Sequence, residues 1–130
     1  MTKGIIMSNI VVAYAITIII AFGLLSSTAA QITHSVVIAA GASMKPESGF
    51  QPKTINVQAG QTVTWKNNDN SLHTVISGKG LNDPNKGKPV DSGLTLLTPG
   101  KSWSYQFTSA GDFPYFCELH PAMTGVVVVS

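Results

Sequence analysis

From Gln31 onward no stretch keeps the three-to-four-residue recurrence of an amphipathic helix. Apolar side chains return instead at every second position, in short runs broken by Gly, Pro, Asn and Asp, and that pattern restricts the chain to β-structure. The clearest run is Lys101 to Phe107, with Trp103, Tyr105 and Phe107 on one face, between Pro99-Gly100 and Ser109-Ala110-Gly111. Period-two alternation gives a strand one dry face and one wet face. Phe113, Tyr115 and Cys117 repeat it, which puts the chain's single cysteine at the inward-facing end of a strand.

The remaining segments fit the same reading. His34 to Ala40 is β-branched and apolar, a first strand, and Gly41 to Pro52 is a connection whose one large apolar residue, Phe50, plugs one end of the core. Thr54 to Gln58 and Thr62 to Lys66 both alternate, and the three residues Ala59-Gly60-Gln61 between them predict a hairpin. Asn67 to Ser71 is a turn by composition, and His73 stands where turn becomes strand. Residues 77–93 are polar and Gly-rich, a long loop or weak edge segment, and Val126 to Val129 reads as a strand covered on both faces or central in its sheet. The expected fold class is all-β, a two-sheet antiparallel Greek-key sandwich of about seven strands. Its expected core is Ile55, Val57, Val63, Trp65, Val75, Trp103, Tyr105, Phe107, Phe113, Tyr115, Val126 and Val128.

With 130 residues the chain is long enough for one domain, placed at residues 31–130. Ahead of it Lys3 precedes an uncharged apolar run, residues 10–25, and then the small residues Ser26, Ser27, Thr28, Ala29 and Ala30. This is either a signal peptide cleaved after Ala30 or a retained hydrophobic helix that attaches the chain through residues 5–25 to the outer face of the cytoplasmic membrane. Both place the domain in the periplasm or another space outside the cytoplasm. All eight basic residues are Lys, so the leader holds no twin-arginine signal, and the domain is expected to cross unfolded and take up any metal outside. Net charge is only +2, and nothing suggests a nucleic-acid partner.

An unpaired cysteine in an exported chain calls for an explanation. Cys117, His120 and Met123 lie at even spacing, Cys-x2-His-x2-Met, in a loop between two strands. Thiolate, imidazole and thioether make a soft donor set, suited to copper and poorly suited to magnesium or calcium. A fourth donor must come from elsewhere, and His34 has no turn to deliver it, whereas His73 sits at a strand end on a rigid scaffold. Two imidazoles, a thiolate and a thioether are the composition of the blue-copper electron-transfer site. The plainer readings are a buried structural thiol for Cys117, packing for Met123, a turn histidine for His73, core aromatics for Trp65, Trp103 and Tyr105, and a solvated loop for Lys79, Lys86 and Lys88. Structural zinc takes paired Cys or His and no thioether. A Cys117–His120 nucleophile lacks an orienting carboxylate other than Glu118, whose side chain points away on this pattern, so no enzyme is expected.

From Phe50 onward the sequence also resembles the cupredoxins, the small blue copper proteins of the plastocyanin and amicyanin group. The resemblance is carried by Phe50-x-Pro52, Ile55-x-Val57, Gly60-x-x-Val63-x-Trp65-x-Asn67-x-Asp69, His73-Thr74-Val75, Gly111 to Cys117 and His120-Pro121-Ala122-Met123-x-Gly125. The short ligand loop is more like amicyanin than plastocyanin. The resemblance implies one copper ion with His73, Cys117 and His120 as equatorial ligands and Met123 as the axial one. It further implies a monomer that carries single electrons between redox protein partners docking near His120; a copper storage or delivery protein on the same fold is the other reading. Thr74 departs from the Asn that follows the first ligand histidine in many members, but keeps a hydrogen-bond donor.

Overall fold

The computed structural model describes residues 32–94 and 97–130. Eight strands follow in order: β1 (His34–Ile38), β2 (Phe50–Gln51), β3 (Thr54–Val57), β4 (Thr62–Asn67), β5 (Ile76–Ser77), β6 (Ser102–Gln106), β7 (Gly111–Phe116) and β8 (Thr124–Val129). They form two four-stranded sheets, β2-β1-β4-β6 and β3-β8-β7-β5. The two-sheet all-β sandwich is as expected. Its sheets are mixed, however: β1 pairs with β4 and β3 with β8 in parallel, and only the other pairings are antiparallel. The expected N-terminal helix, as signal or anchor, lies outside the described residues.

The hairpin expected of β3 and β4 does not form, because the two strands lie in different sheets. The turn between them closes through the Gln61 N–H donating to the Gln58 carbonyl at 3.0 Å, and the chain crosses from one sheet to the other. Alternation reports which face of a strand is dry, and both strands do turn Val57, Val63 and Trp65 inward. It carries no information on which sheet a strand joins.

A second correction concerns β8, which is central in its sheet as expected but buries Gly125, Val127 and Val129, leaving Val126 and Val128 half-buried. A run of valines has no polar member to mark its wet face. The face is set by pairing instead: Gly125 lies opposite Tyr115 and Val127 opposite Phe113, and those aromatics point into the core.

Val57, Val63, Trp65, Val75, Phe107 and Tyr115 are buried as read, with Ile55, Trp103, Tyr105 and Phe113 packed partly buried against them. Val36, Ile38, Val90, Leu97, Cys117 and Met123 complete much of the core. Phe50 is buried too, within the two-residue strand β2. Trp65 of one sheet meets Tyr115 of the other edge-on, ring centroids 5.4 Å apart, and Tyr115 meets Phe50 at 4.8 Å. Such pairs add about 0.5–1.5 kcal/mol each beyond their buried area. They close the sandwich beneath the end of β7, where Cys117 begins the next loop.

Residues 77–93 are pinned rather than free. Val75 and Ser92 exchange hydrogen bonds, the Val75 N–H to Ser92 Oγ at 2.9 Å and the Ser92 N–H to the Val75 carbonyl at 3.0 Å. Ser77 does the same for Val90, whose N–H donates to Ser77 Oγ at 2.8 Å. The segment thus covers the flank of β5 and sends Val90 into the core.

Candidate metal centre

Cys117 follows directly on β7, and two backbone bonds fold the next six residues into a closed loop. The Cys117 N–H donates to the Met123 carbonyl at 3.0 Å and the Met123 N–H to the His120 carbonyl at 2.8 Å. The closed loop carries Cys117, His120 and Met123 together. His73 arrives from the other ligand segment, held by its N–H on the Leu97 carbonyl at 3.3 Å. His73 Nδ1 and His120 Nδ1 each lie 3.7 Å from Cys117 Sγ. All three donor atoms fall within 4.8 Å of one another. Among the described residues this is the one cluster of three or more His, Cys, Asp or Glu donors with such geometry.

Cys117, His73 and Met123 are fully buried, while His120 is half-buried. Met123 packs against Gly49: a Cβ built on that glycine would stand 2.7 Å from Met123 Cγ and 2.8 Å from its sulfur. His34 lies at the far end of β1, paired with Val63, away from this cluster. Three of the four residues expected from the sequence, His73, Cys117 and His120, thus bring their donor atoms together, while Met123 closes the same loop through its backbone bonds and buries its side chain against Gly49.

Thr74 holds the two segments together despite its short side chain. Its Oγ1 accepts the Glu118 N–H at 2.9 Å, and its own N–H points at Cys117 Sγ from 3.4 Å. Lys86, on the pinned loop, pairs with Glu118 at 2.5 Å, a partly exposed ion pair of small energetic weight.

Burial alone would push the Cys117 thiol up. Contacts with His73, the Thr74 N–H and His120 outweigh it and bring the group down to about 6 from 9.0. Burial likewise opposes charge on His73, yet the neighbouring Cys117 and Asp69 hold its pKa above the ordinary 6.5. A thiol this acidic is a ready thiolate near neutral pH, the form that ligates metals. A soft thiolate beside two imidazoles fits copper.

Sequence reasoning missed two supports of this site. Asp69 is buried, and its Oδ2 lies 2.8 Å from His73 Nε2. Burial pushes its carboxyl up, but hydrogen bonds from His73, Ser43, Gly41 and Asn70 outweigh this and hold it well below the usual carboxylate range. Asn67, fully buried, donates to the Ser71 and Leu97 carbonyls at 2.7 and 2.9 Å, which fixes the turn leading to His73. Both lie in a stretch whose composition reads only as a turn. The i, i+4 spacing of Asp69 and His73 was the available signal.

Comparison with known proteins agrees with this geometry. A family model described as copper binding proteins, plastocyanin/azurin family, matches residues 32–130. The plastocyanin of Scenedesmus fuscus is 33% identical over 91 residues, spanning 62% of this chain and 85% of that protein. Amicyanin of Paracoccus versutus is 32% identical over 77 residues, 58% of this chain and 53% of its own length. Among solved structures, a purple cupredoxin from Nitrosopumilus maritimus superposes with a TM-score of 0.65 at 28% identity, covering 75% of this chain and 99% of that one. With the fold, the donor cluster and the family match in agreement, the chain belongs to the plastocyanin/azurin family of copper-binding proteins, the cupredoxins.

Proposed function

We propose that this protein is a type 1 copper electron carrier in which His73, Cys117 and His120 would hold one copper ion, with Met123 as the weaker fourth ligand. The observation that carries the reading is the convergence of three donor atoms within 4.8 Å, two of them on fully buried side chains. Copper, when bound, supplies a one-electron couple. The chain's part is to hold the donors so that little must move when charge changes. The β7 backbone fixes Cys117, the closed loop fixes His120 and Met123, and the Leu97 bridge fixes His73.

His120 is the port. It is the half-buried member of the three, and Leu119, Pro121 and Ala122 around it are exposed. An imidazole edge in a small apolar patch suits an interface that forms and releases quickly, so redox protein partners dock here and the carrier works as a monomer. The apolar run at residues 10–25, followed by small residues up to Ala30, supports a place outside the cytoplasm, with the leader removed or kept as an anchor.

The test is the absorption spectrum of the copper-loaded protein. An intense thiolate-to-copper band toward the red end of the visible, lost in Cys117→Ala, is expected; its absence in the wild type sinks the reading. Electron self-exchange followed by stopped flow separates a carrier from a copper delivery protein, since delivery tolerates slow exchange.

A further inference from the structure

Asp69 is bound more heavily than a turn carboxylate requires. Its Oδ1 accepts the N–H groups of Gly41 and Asn70, both at 2.9 Å, and its Oδ2 accepts the Ser43 N–H at 3.0 Å while facing His73 Nε2 at 2.8 Å. Three of the four partners are backbone N–H groups, which only donate. Both oxygens are therefore held as acceptors, and a carboxylate so held has no proton to give. The fourth partner must then donate as well, so the proton of a neutral His73 sits on Nε2. Its other nitrogen, Nδ1, is left with a bare lone pair, and that is the atom 3.7 Å from Cys117 Sγ.

The same carboxylate reaches the far side of the site. Gly41 and Ser43 belong to the segment between β1 and β2, which ends at Gly49, and Gly49 backs Met123. One buried side chain thus ties down both the imidazole and the segment behind the thioether. Asn67 in turn fixes Asp69, its Oδ1 accepting the Asp69 N–H at 2.8 Å.

We propose that Asp69 is the positioning residue of the metal centre, selecting the Nε2–H tautomer of His73 so that Nδ1 is free to ligate, and orienting that ring through a hydrogen bond to its outer edge. The role rests on the copper reading above only for its consequence, because the tautomer exists with or without metal. Asn is not a neutral replacement here. Its amide must turn an NH2 group either toward the Gly41 and Asn70 donors or toward Ser43 and His73. In the second orientation it donates to His73 Nε2 and drives the proton to Nδ1, the ligating atom.

The experiment is nitrogen NMR of the imidazoles in metal-free protein at a pH where His73 is neutral. Wild type should show His73 protonated at Nε2, and Asp69→Asn should show the Nδ1–H form or a mixture. Asp83→Asn is the control, since Asp83 also caps a loop, accepting the Lys79 and Asn85 N–H groups, but faces no histidine. Copper affinity should fall about 10–100-fold in Asp69→Asn and the reduction potential should rise, with both unchanged in Asp83→Asn. An Nδ1–H tautomer in wild type, or Asp69→Asn with unaltered tautomer, affinity and potential, overturns the proposal. Where Asp69→Asn does not fold, the wild-type tautomer alone decides. Absence of the coloured copper band in wild type would remove the copper reading and leave that tautomer result standing by itself.

Discussion

On the proposed copper reading Met123 is the donor with the weakest bond to the metal, so its replacement separates ligation from packing. Met123→Leu keeps the buried volume and should keep copper bound, but the reduction potential should rise, because a weak electron donor to the oxidised ion is lost. Voltammetry checks this, and a lowered potential would refute the axial role. Proton competition gives a second prediction. Copper uptake needs Cys117 as thiolate and His73 neutral. The surroundings bring the Cys117 thiol down to about 6 and hold His73 above its ordinary 6.5, so both groups gain protons as pH falls, and both gains oppose the metal. Apparent affinity should therefore climb with pH, by about tenfold per unit for each proton displaced, most steeply below about 6, where both groups are protonated, and less steeply above it until His73 has lost its proton. A flat profile in a chelator competition would contradict the acid–base picture. At this scale the three converging donors were legible because Cys and His are scarce and chemically loud. Asp69 was not, since an aspartate in an Asn-rich turn differs from its neighbours only by what the fold sets around it.

Strand identity was readable wherever one face of a strand is wet: β4, β6 and β7 carry their alternation in the sequence. It failed where the neighbours decide. The two-residue strands β2 and β5 exist only through their partners, the valines of β8 take their face from Tyr115 and Phe113, and the β3–β4 turn looks the same whether it joins one sheet or two. Two glycines test the pairing that replaced those readings. Gly125 faces the ring and hydroxyl of Tyr115 across the β7–β8 ladder, so a methyl group there drives into a rigid buried aromatic. Gly125→Ala should cost about 1–3 kcal/mol or more in urea unfolding, with little change in the colour of protein that does fold. Gly49→Ala meets the flexible thioether of Met123 instead. It should cost about 1 kcal/mol and show itself chiefly in the spectrum and potential. Equal stability of Gly125→Ala and wild type would mean that the β7–β8 register is misplaced.

Over the whole molecule, the centre is assembled from segments far apart in the chain. His73 and Cys117 are separated by 44 positions, and they meet only when β7 has paired with β8 and the pinned loop has closed over β5. The donors are anchored by backbone bonds of the sandwich itself, so no separate element carries the site. Loss of the metal and unfolding of the loaded protein should therefore be one transition. A ligand that binds the folded chain alone stabilises it by about 4 kcal/mol when present at a thousand times its dissociation constant. For a domain of this size that corresponds to a rise in melting temperature of roughly 15–30 °C. Copper-loaded protein should then melt well above the metal-free form, and on heating the thiolate-to-copper band and the far-ultraviolet β-sheet signal should vanish together. Bleaching that runs clearly ahead of the sheet signal would show the Cys117–Met123 loop opening as a local unit, with the sandwich intact beneath it.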